Sequence, residues 1–276
     1  MIPELLLEVG LGLAIGFCIG MTGVGGGVLV LPPLTLLLHF PPTLAVGTAS
    51  LYALLTKLLA GYHHFRLKTI DWNLALWFMI TAVPSDLATA FMVNWFRRQT
   101  EGTASYDTFQ STLKTIIAVV VFLCAISILL RLIRTRAKGA DGDTAIAIAI
   151  KSNPTKRKVA ALIAGLLIGI LNGATSVVGV VIVPTLLLIF GLAPSITVGT
   201  SIIMALALSA CASIMYGGGG QIDVAAAAVM AGGSLIGVPL GSRLSVKIKP
   251  RPFQWAIGAL ILVCSFLMLS KQSGAH

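Results

Sequence analysis

Two short runs of small and polar residues interrupt an otherwise apolar sequence: GMTGVGGG at 20–27 and LNGATSVVG at 171–179. A glycine inside a helix costs about 1 kcal/mol relative to alanine. Backbone that leaves its helical bonds within lipid also exposes polar groups that nothing satisfies. A helix that restarts after such a break offers the compensation, because its first N–H groups are free and its dipole is positive, a combination that holds an anion. Gly25, Gly26 and Gly27 would let an anion come close to those amides, and Thr22 adds a hydroxyl. In the second run Asn172, Thr175 and Ser176 offer side-chain donors where the first offers backbone ones. Thr48 and Thr200, in matching VGT triplets, fall just over one turn into the following helices and could each point toward the break of their own half. The competing reading of the glycines is close helix packing, and of each hydroxyl a bond to its own helix carbonyl.

Lys57 and Asp86 are the ionisable residues inside predicted spans, and such residues are candidates for proton or charge coupling. At 1.5 Å per residue Lys57 lies about 8 Å from the cytoplasmic end of its helix and Asp86 about 20 Å from that side, so direct pairing is not expected. Lys57 either snorkels or lends positive potential to a cavity. Asp86 either titrates or is held by a hydrogen bond from a neighbouring helix. His63 and His64 stand beside Arg66 at a helix end and read as a solvated interface. Enzyme chemistry finds no support. There is no metal-ligand cluster, no base partner for Ser176 and no phosphate-binding loop, so neither metal nor cofactor is expected. Cys18, Cys124, Cys211 and Cys264 are isolated in apolar runs and read as small core residues.

The elements that would position these residues are membrane helices. The chain is 57% hydrophobic and 10% charged over 276 residues, which excludes a soluble domain with a charged surface. The net charge of +10 lies mainly between the apolar runs, where it acts as an orientation signal and not as a nucleic-acid footprint. The N-terminus carries Glu4 and Glu8 without early Lys or Arg and does not read as a cleaved signal peptide. Apolar segments fall at about 4–38, 43–62, 72–96, 113–133, 158–191, 195–216, 224–246 and 253–270, the first and fifth too long for one span.

Positions 152 apart match without a gap: Gly27-Val28 with Gly179-Val180, Pro32 with Pro184, Pro42 with Pro194, Val46-Gly47-Thr48 with Val198-Gly199-Thr200, and Ile70-Asp71 with Ile222-Asp223. That is an internal repeat, residues 1–137 and 158–276 around a linker at 138–157. Thr43 and Ser195, after a proline, are candidate helix caps, as are Asp71 and Asp223. Residues 131–158 hold eight basic and two acidic side chains, which places this stretch in the cytoplasm. Its AIAIAI segment is too short to span. If the fifth segment crossed once, as in a parallel eight-span repeat, the loop with Arg243, Lys247, Lys249 and Arg251 would lie outside, against the positive-inside rule. If each broken segment dips in and returns, that loop is inside, GGGGQ at 217–221 is outside, and so is the acidic N-terminus. The expected fold is therefore all-α and polytopic: two inverted repeats, each a re-entrant hairpin plus three transmembrane helices.

The residues GMTGVGGGVLVLPPL with VGTAS, and NGATSVVGVVIVPTL with VGTSI, are similar to the sulfite exporter TauE/SafE family of membrane permeases, and with the hydropathy pattern the resemblance covers nearly the whole chain. Val177 and Val178 depart from the glycines Gly25 and Gly26 opposite them, so the halves cannot make identical contacts. The resemblance implies export of a small sulfur-containing anion, such as sulfite, sulfoacetate or a related organosulfonate, across the cytoplasmic membrane. The residues themselves lead to a small-anion carrier working by alternating access, one repeat rocking against the other, with a passive anion channel as the alternative. The expected partners are the anion and the lipid bilayer, with room for a homodimer.

Overall fold

A computed structural model describes residues 2–22, 26–103, 105–137, 148, 150, 153–177, 179–247 and 250–273. Most of the linker, including much of AIAIAI, lies outside the described residues. The first half holds α1 (Ile2–Thr22), α2 (Gly26–Leu36), α3 (Pro42–Arg66), α4 (Trp72–Thr100) and α5 (Ser105–Ala137). The second holds α6 (Pro154–Thr175), α7 (Gly179–Leu188), α8 (Pro194–Gly218), α9 (Val224–Lys247) and α10 (Pro250–Ser273). The described fold is all-helical. Six described helices are long and apolar enough to cross a membrane, at 42–66, 72–100, 105–127, 154–175, 195–218 and 224–244. Leu76, Ile80, Phe91, Leu166, Leu167 and Ile214 are exposed, the surface of a chain whose solvent is hydrocarbon.

Both over-long apolar segments divide where the small residues fall: α1 stops at Thr22 before Gly26 starts α2, and α6 stops at Thr175 before Gly179 starts α7. The aspartates cap as expected, Asp71 Oδ1 accepting from Leu74 N–H and Asp223 Oδ1 from Ala226 N–H. Thr43 and Ser195 do not. Proline already opens each helix one residue earlier, so these residues sit inside the first turn and not at the cap. Thr43 instead donates to Gln221 Oε1, and α8 is preceded by Ala193 with no side-chain cap. α6 begins at Pro154, within the stretch assigned to the linker, because Asn153 caps it through bonds from the N–H groups of Thr155 and Lys156.

The halves are interleaved, and glycines set how. On α1 a Cβ at Gly12, Gly16 or Gly20 would fall 2.2, 2.6 and 2.2 Å from backbone atoms of Met230, Ser234 and Val238 on α9. On α6 a Cβ at Gly165, Gly169 or Gly173 would fall within 2.3, 2.3 and 2.5 Å of the carbonyl oxygens of Phe78, Ala82 and Asp86 on α4. Both contacts rise together along the two chains, so each pair is parallel. Phe78, Ala82 and Asp86 are 152 positions before Met230, Ser234 and Val238, and Gly12, Gly16 and Gly20 are 153 before Gly165, Gly169 and Gly173, so with a one-residue shift ahead of the break the two seams are equivalent under exchange of the halves. At these glycines close packing is the role, as in membrane helices that approach through small residues.

The exchange extends to hydrogen bonds. Thr48 Oγ1 accepts the N–H of Asp223 at 3.0 Å, and Thr200 Oγ1 accepts that of Asp71 at 2.9 Å. Gly47 lies against the Gln221 carbonyl and Gly199 against that of Thr69. Each of α3 and α8 therefore starts where the other ends, and these equivalent helices run antiparallel.

These contacts fix the path of each hairpin. Arg157 near the start of α6 pairs with Asp71 at the start of α4, and α6 then follows α4 only as far as Asp86, midway along that 29-residue helix. α7 leads back to the start of α8, beside Thr69, at the end where α6 began. α1 likewise follows α9 to Val238, and α2 returns to the start of α3 beside Gln221, at the opposite end. At that second end Arg97 and Arg98 donate to the carbonyls of Gly219 and Gly218, closing the C-terminus of α8. One buried apolar cluster joins α4, α6, α7 and α8; another is built mainly from α1, α2, α3, α5, α9 and α10.

Candidate functional site

The two breaks meet. A Cβ at Gly27, the second residue of α2, would lie 2.2 Å from the carbonyl oxygen of Ser176, so only glycine fits there. Ser176 is left-handed (φ 55°) and caps α6, its N–H returning to the Asn172 carbonyl at 2.7 Å. The Val177 N–H reaches Thr175 Oγ1 at 3.3 Å, and Thr175 Oγ1 itself donates back to the Leu171 carbonyl at 2.7 Å. Two residues past Val177, α7 starts at Gly179. Neither α2 nor α7 carries an acidic residue in its first turn, so the positive end of each half-helix is left without an internal counter-charge.

Side chains from α3, α8 and α9 brace the junction. Ser50 Oγ contacts Ser176 Oγ at 2.9 Å while also donating to the Val46 carbonyl. Tyr52 stacks its ring edge 3.0 Å from the Cβ position of Gly26, and its hydroxyl is 2.6 Å from Ser234 Oγ, which donates to the Gly12 carbonyl. Tyr216 donates to the Gly173 carbonyl at 2.7 Å. Both tyrosines are fully buried. Sequence reasoning missed them, although a tyrosine in an apolar span is a signal in itself, because its hydroxyl must find a partner there.

Of the residues singled out from sequence, Gly26, Gly27, Asn172, Thr175 and Ser176 are brought to this junction. Gly25 and the side chain of Thr22 lie outside what is described. Thr48 and Thr200 are elsewhere: their hydroxyls are used at the helix ends, each by the opposite half, because the VGT turn sits where α3 and α8 pass the loops before α9 and α4. Lys57 is half-buried with its Nζ 3.4 Å from Ser209 Oγ on α8. Positions 57 and 209 are repeat equivalents, so this contact marks the crossing of α3 and α8. Asp86 Oδ1 accepts from Asn172 Nδ2 at 2.7 Å, and the two side chains are 0% and 1% exposed. Lys57 and Asp86 do not pair. Among the described residues no group of His, Cys, Asp or Glu could hold a metal ion.

The family model for "Sulfite exporter TauE/SafE" matches residues 9–268, taking in both breaks and all but the outermost turns of the first and last helices. The chain belongs to the TauE/SafE family. It is similar to the "Probable membrane transporter protein YjnA" of Bacillus subtilis (strain 168), 32% identical over 94% of this chain and 97% of the relative. It is also similar to the "Probable membrane transporter protein YunE" of the same organism, 22% identical over 87% of this chain and 88% of the relative. No solved structure matches it. As a TauE/SafE protein it is a multi-pass membrane protein of a transporter family.

Proposed function

We propose that this protein is a secondary transporter that exports a small sulfur-containing anion, such as sulfite, sulfoacetate or a related organosulfonate, across the cytoplasmic membrane. The anion binds where the two breaks meet, held by the first amides of α2, including Gly26 and Gly27, and by the side chains of Asn172 and Ser176, while Thr175, whose hydroxyl proton goes to the Leu171 carbonyl, shapes the turn. The observation that carries this reading is the contact of Gly27 with Ser176, which sets the start of α2 against the turn between α6 and α7, the two hairpins entering from opposite ends. Broken helices meeting at mid-depth are the way many transporters build a shared site.

The orientation follows from charge. The end holding Arg66, Lys68, Lys156, Arg157 and Lys158 faces the cytoplasm. The antiparallel course of α3 and α8 supports inverted halves, since an exchange axis along the membrane normal would leave equivalent helices parallel. The bodies that move are not the sequence halves. The glycine seams bind α9 to α1 and α4 to α6, so rocking occurs between a body of α1, α2, α3 and α9 and a body of α6, α7, α8 and α4. The breaks lie at the boundary between them.

Proteoliposomes test this with labelled sulfite. Ser176→Gly removes the hydroxyl yet suits the left-handed backbone, and Ser50 keeps its bond to Val46. Sulfite affinity is expected to fall about tenfold in this variant, the loss of one charge-assisted hydrogen bond. An unchanged affinity with intact folding argues against the site.

A further inference from the structure

The seam between α4 and α6 holds a polar pair that its counterpart lacks. The Gly173 contact with Asp86 corresponds to the Gly20 contact with Val238, and the residue before each glycine is Asn172 in one seam and Ile19 in the other. Helix packing therefore requires neither the carboxyl nor the amide, since the same glycine spacing is achieved with Ile and Val. An ionisable group retained at that depth points to function.

The pair is also incomplete. Asp86 Oδ1 is bonded to Asn172, whereas Oδ2 has no partner among the described residues although the side chain is wholly buried. A carboxylate there would hold charge on an oxygen with no partner among the described residues; the acid form carries its proton on that oxygen. Among the described residues no cation forms an ion pair with Asp86. From α8 the titratable groups within electrostatic reach are Cys211 and Tyr216. α6 has no titratable side chain from Val159 to Thr175, and α4 has none other between Trp72 and Phe96. α5 carries Tyr106, Asp107 and Lys114 in its first turns, Cys124 further along, and Arg131, Arg134 and Arg136 in its last turns at the far end of the helix. Lys57 Nζ lies 3.4 Å from Ser209 Oγ and does not pair with Asp86. The same Asn172 that holds Asp86 accepts the Ser176 N–H through its carbonyl, so one residue links the carboxyl to the break.

We propose that Asp86 is the proton-carrying residue of this transporter, taking one proton on Oδ2 for each anion moved and carrying it in the same direction, so that export runs down the anion's own outward gradient and is not driven by an inward proton gradient. This rests on the reading of the breaks as the anion site. A bound anion and an ionised Asp86 repel each other in a desolvated interior, so the anion favours the acid, and by reciprocity the acid favours the anion. When the site opens to the other side the anion leaves, and the proton passes from Oδ2 to water there, restoring the carboxylate. Only an O–H bond forms and breaks.

Purified protein in proteoliposomes separates two readouts: sulfite exchange at equal pH, and net sulfite movement driven by an imposed pH gradient. Asp86→Asn keeps the shape and an acceptor for Asn172. Its gradient-driven movement is expected to fall at least about tenfold while exchange changes less than about threefold, a loss of coupling and not of binding. Gradient-driven movement that survives in Asp86→Asn overturns the proposal, as does wild-type net movement that an imposed pH gradient fails to drive. Infrared difference spectroscopy of the purified protein reads the carboxyl whatever the flux. A protonated-carboxyl band at neutral pH that Asp86→Asn removes supports the assignment; a spectrum the substitution leaves unchanged overturns it. Wild-type vesicles with no sulfite exchange contradict the anion site itself, and the infrared spectrum then decides the proton on Asp86 separately.

Discussion

Along α4 and α6, Gly165, Gly169 and Gly173 rest on Phe78, Ala82 and Asp86; along α1 and α9, Gly12, Gly16 and Gly20 rest on Met230, Ser234 and Val238. Backbone approach is nearly the same in both, and the side chains beside it are not. The first seam ends in the Asp86 and Asn172 pair, the second in Val238 and Ile19, with Ser234 meanwhile serving Tyr52. Duplication of a fold fixes where helices touch. What each copy then places at the touching points is free to diverge, so the differences between the seams, and not their shared glycines, are where transport chemistry is sought.

The largest effect is expected where the two breaks touch. Gly27→Ala drives a methyl into the Ser176 carbonyl and destabilises the protein by roughly 3 kcal/mol, the upper range for overpacking, read as a lower melting temperature and poor yield in detergent. Close behind is Val238→Asp, which puts a carboxyl into the seam that lacks its amide. A loss of about 3 kcal/mol is expected, and adding Ile19→Asn should recover roughly 1 kcal/mol of it by rebuilding the pair. If Val238→Asp is as stable as wild type, the contrast between the seams has no energetic content. Asn172→Ala strips Asp86 of its described donor, at about 1–3 kcal/mol, and also lowers sulfite affinity; a stability change without an affinity change would confine Asn172 to structure. The smallest effect sharpens the symmetry. Thr48→Ala and Thr200→Ala each remove one bond to an aspartate N–H of the other half, so each lowers stability by about 0.6 kcal/mol, and by the same amount. Unequal losses in melting experiments would show that the halves do not share load at these bonds.

Much of the fold was legible in the sequence because local chemistry sets it. Glycine and polar residues inside apolar runs marked both breaks, Asp71 and Asp223 marked helix starts, and the 152-residue offset marked the repeat. Which helices embrace was not legible. An offset shows that α1 corresponds to α6, but nothing in it says that α1 lies on α9 and α6 on α4, because that depends on glycine faces meeting across the chain. The same gap explains Thr48 and Thr200. Their spacing from the breaks was read within one half, whereas their partners belong to the other. At the candidate site, residues of the breaks themselves could be named from sequence. Tyr52 and Tyr216 carried a signal, a hydroxyl in an apolar span, but not their partners, and Ser234 reaches the junction from a helix far away in the chain.

Labelled sulfite counterflow in proteoliposomes tests the central claim most directly, that two half-helix starts share one anion within a carrier. The account predicts saturable uptake accelerated by unlabelled sulfite on the opposite side, with the apparent affinity weakened in Ser176→Gly. Uptake that rises linearly with concentration, is indifferent to sulfite across the membrane and is unaltered by Ser176→Gly would contradict it.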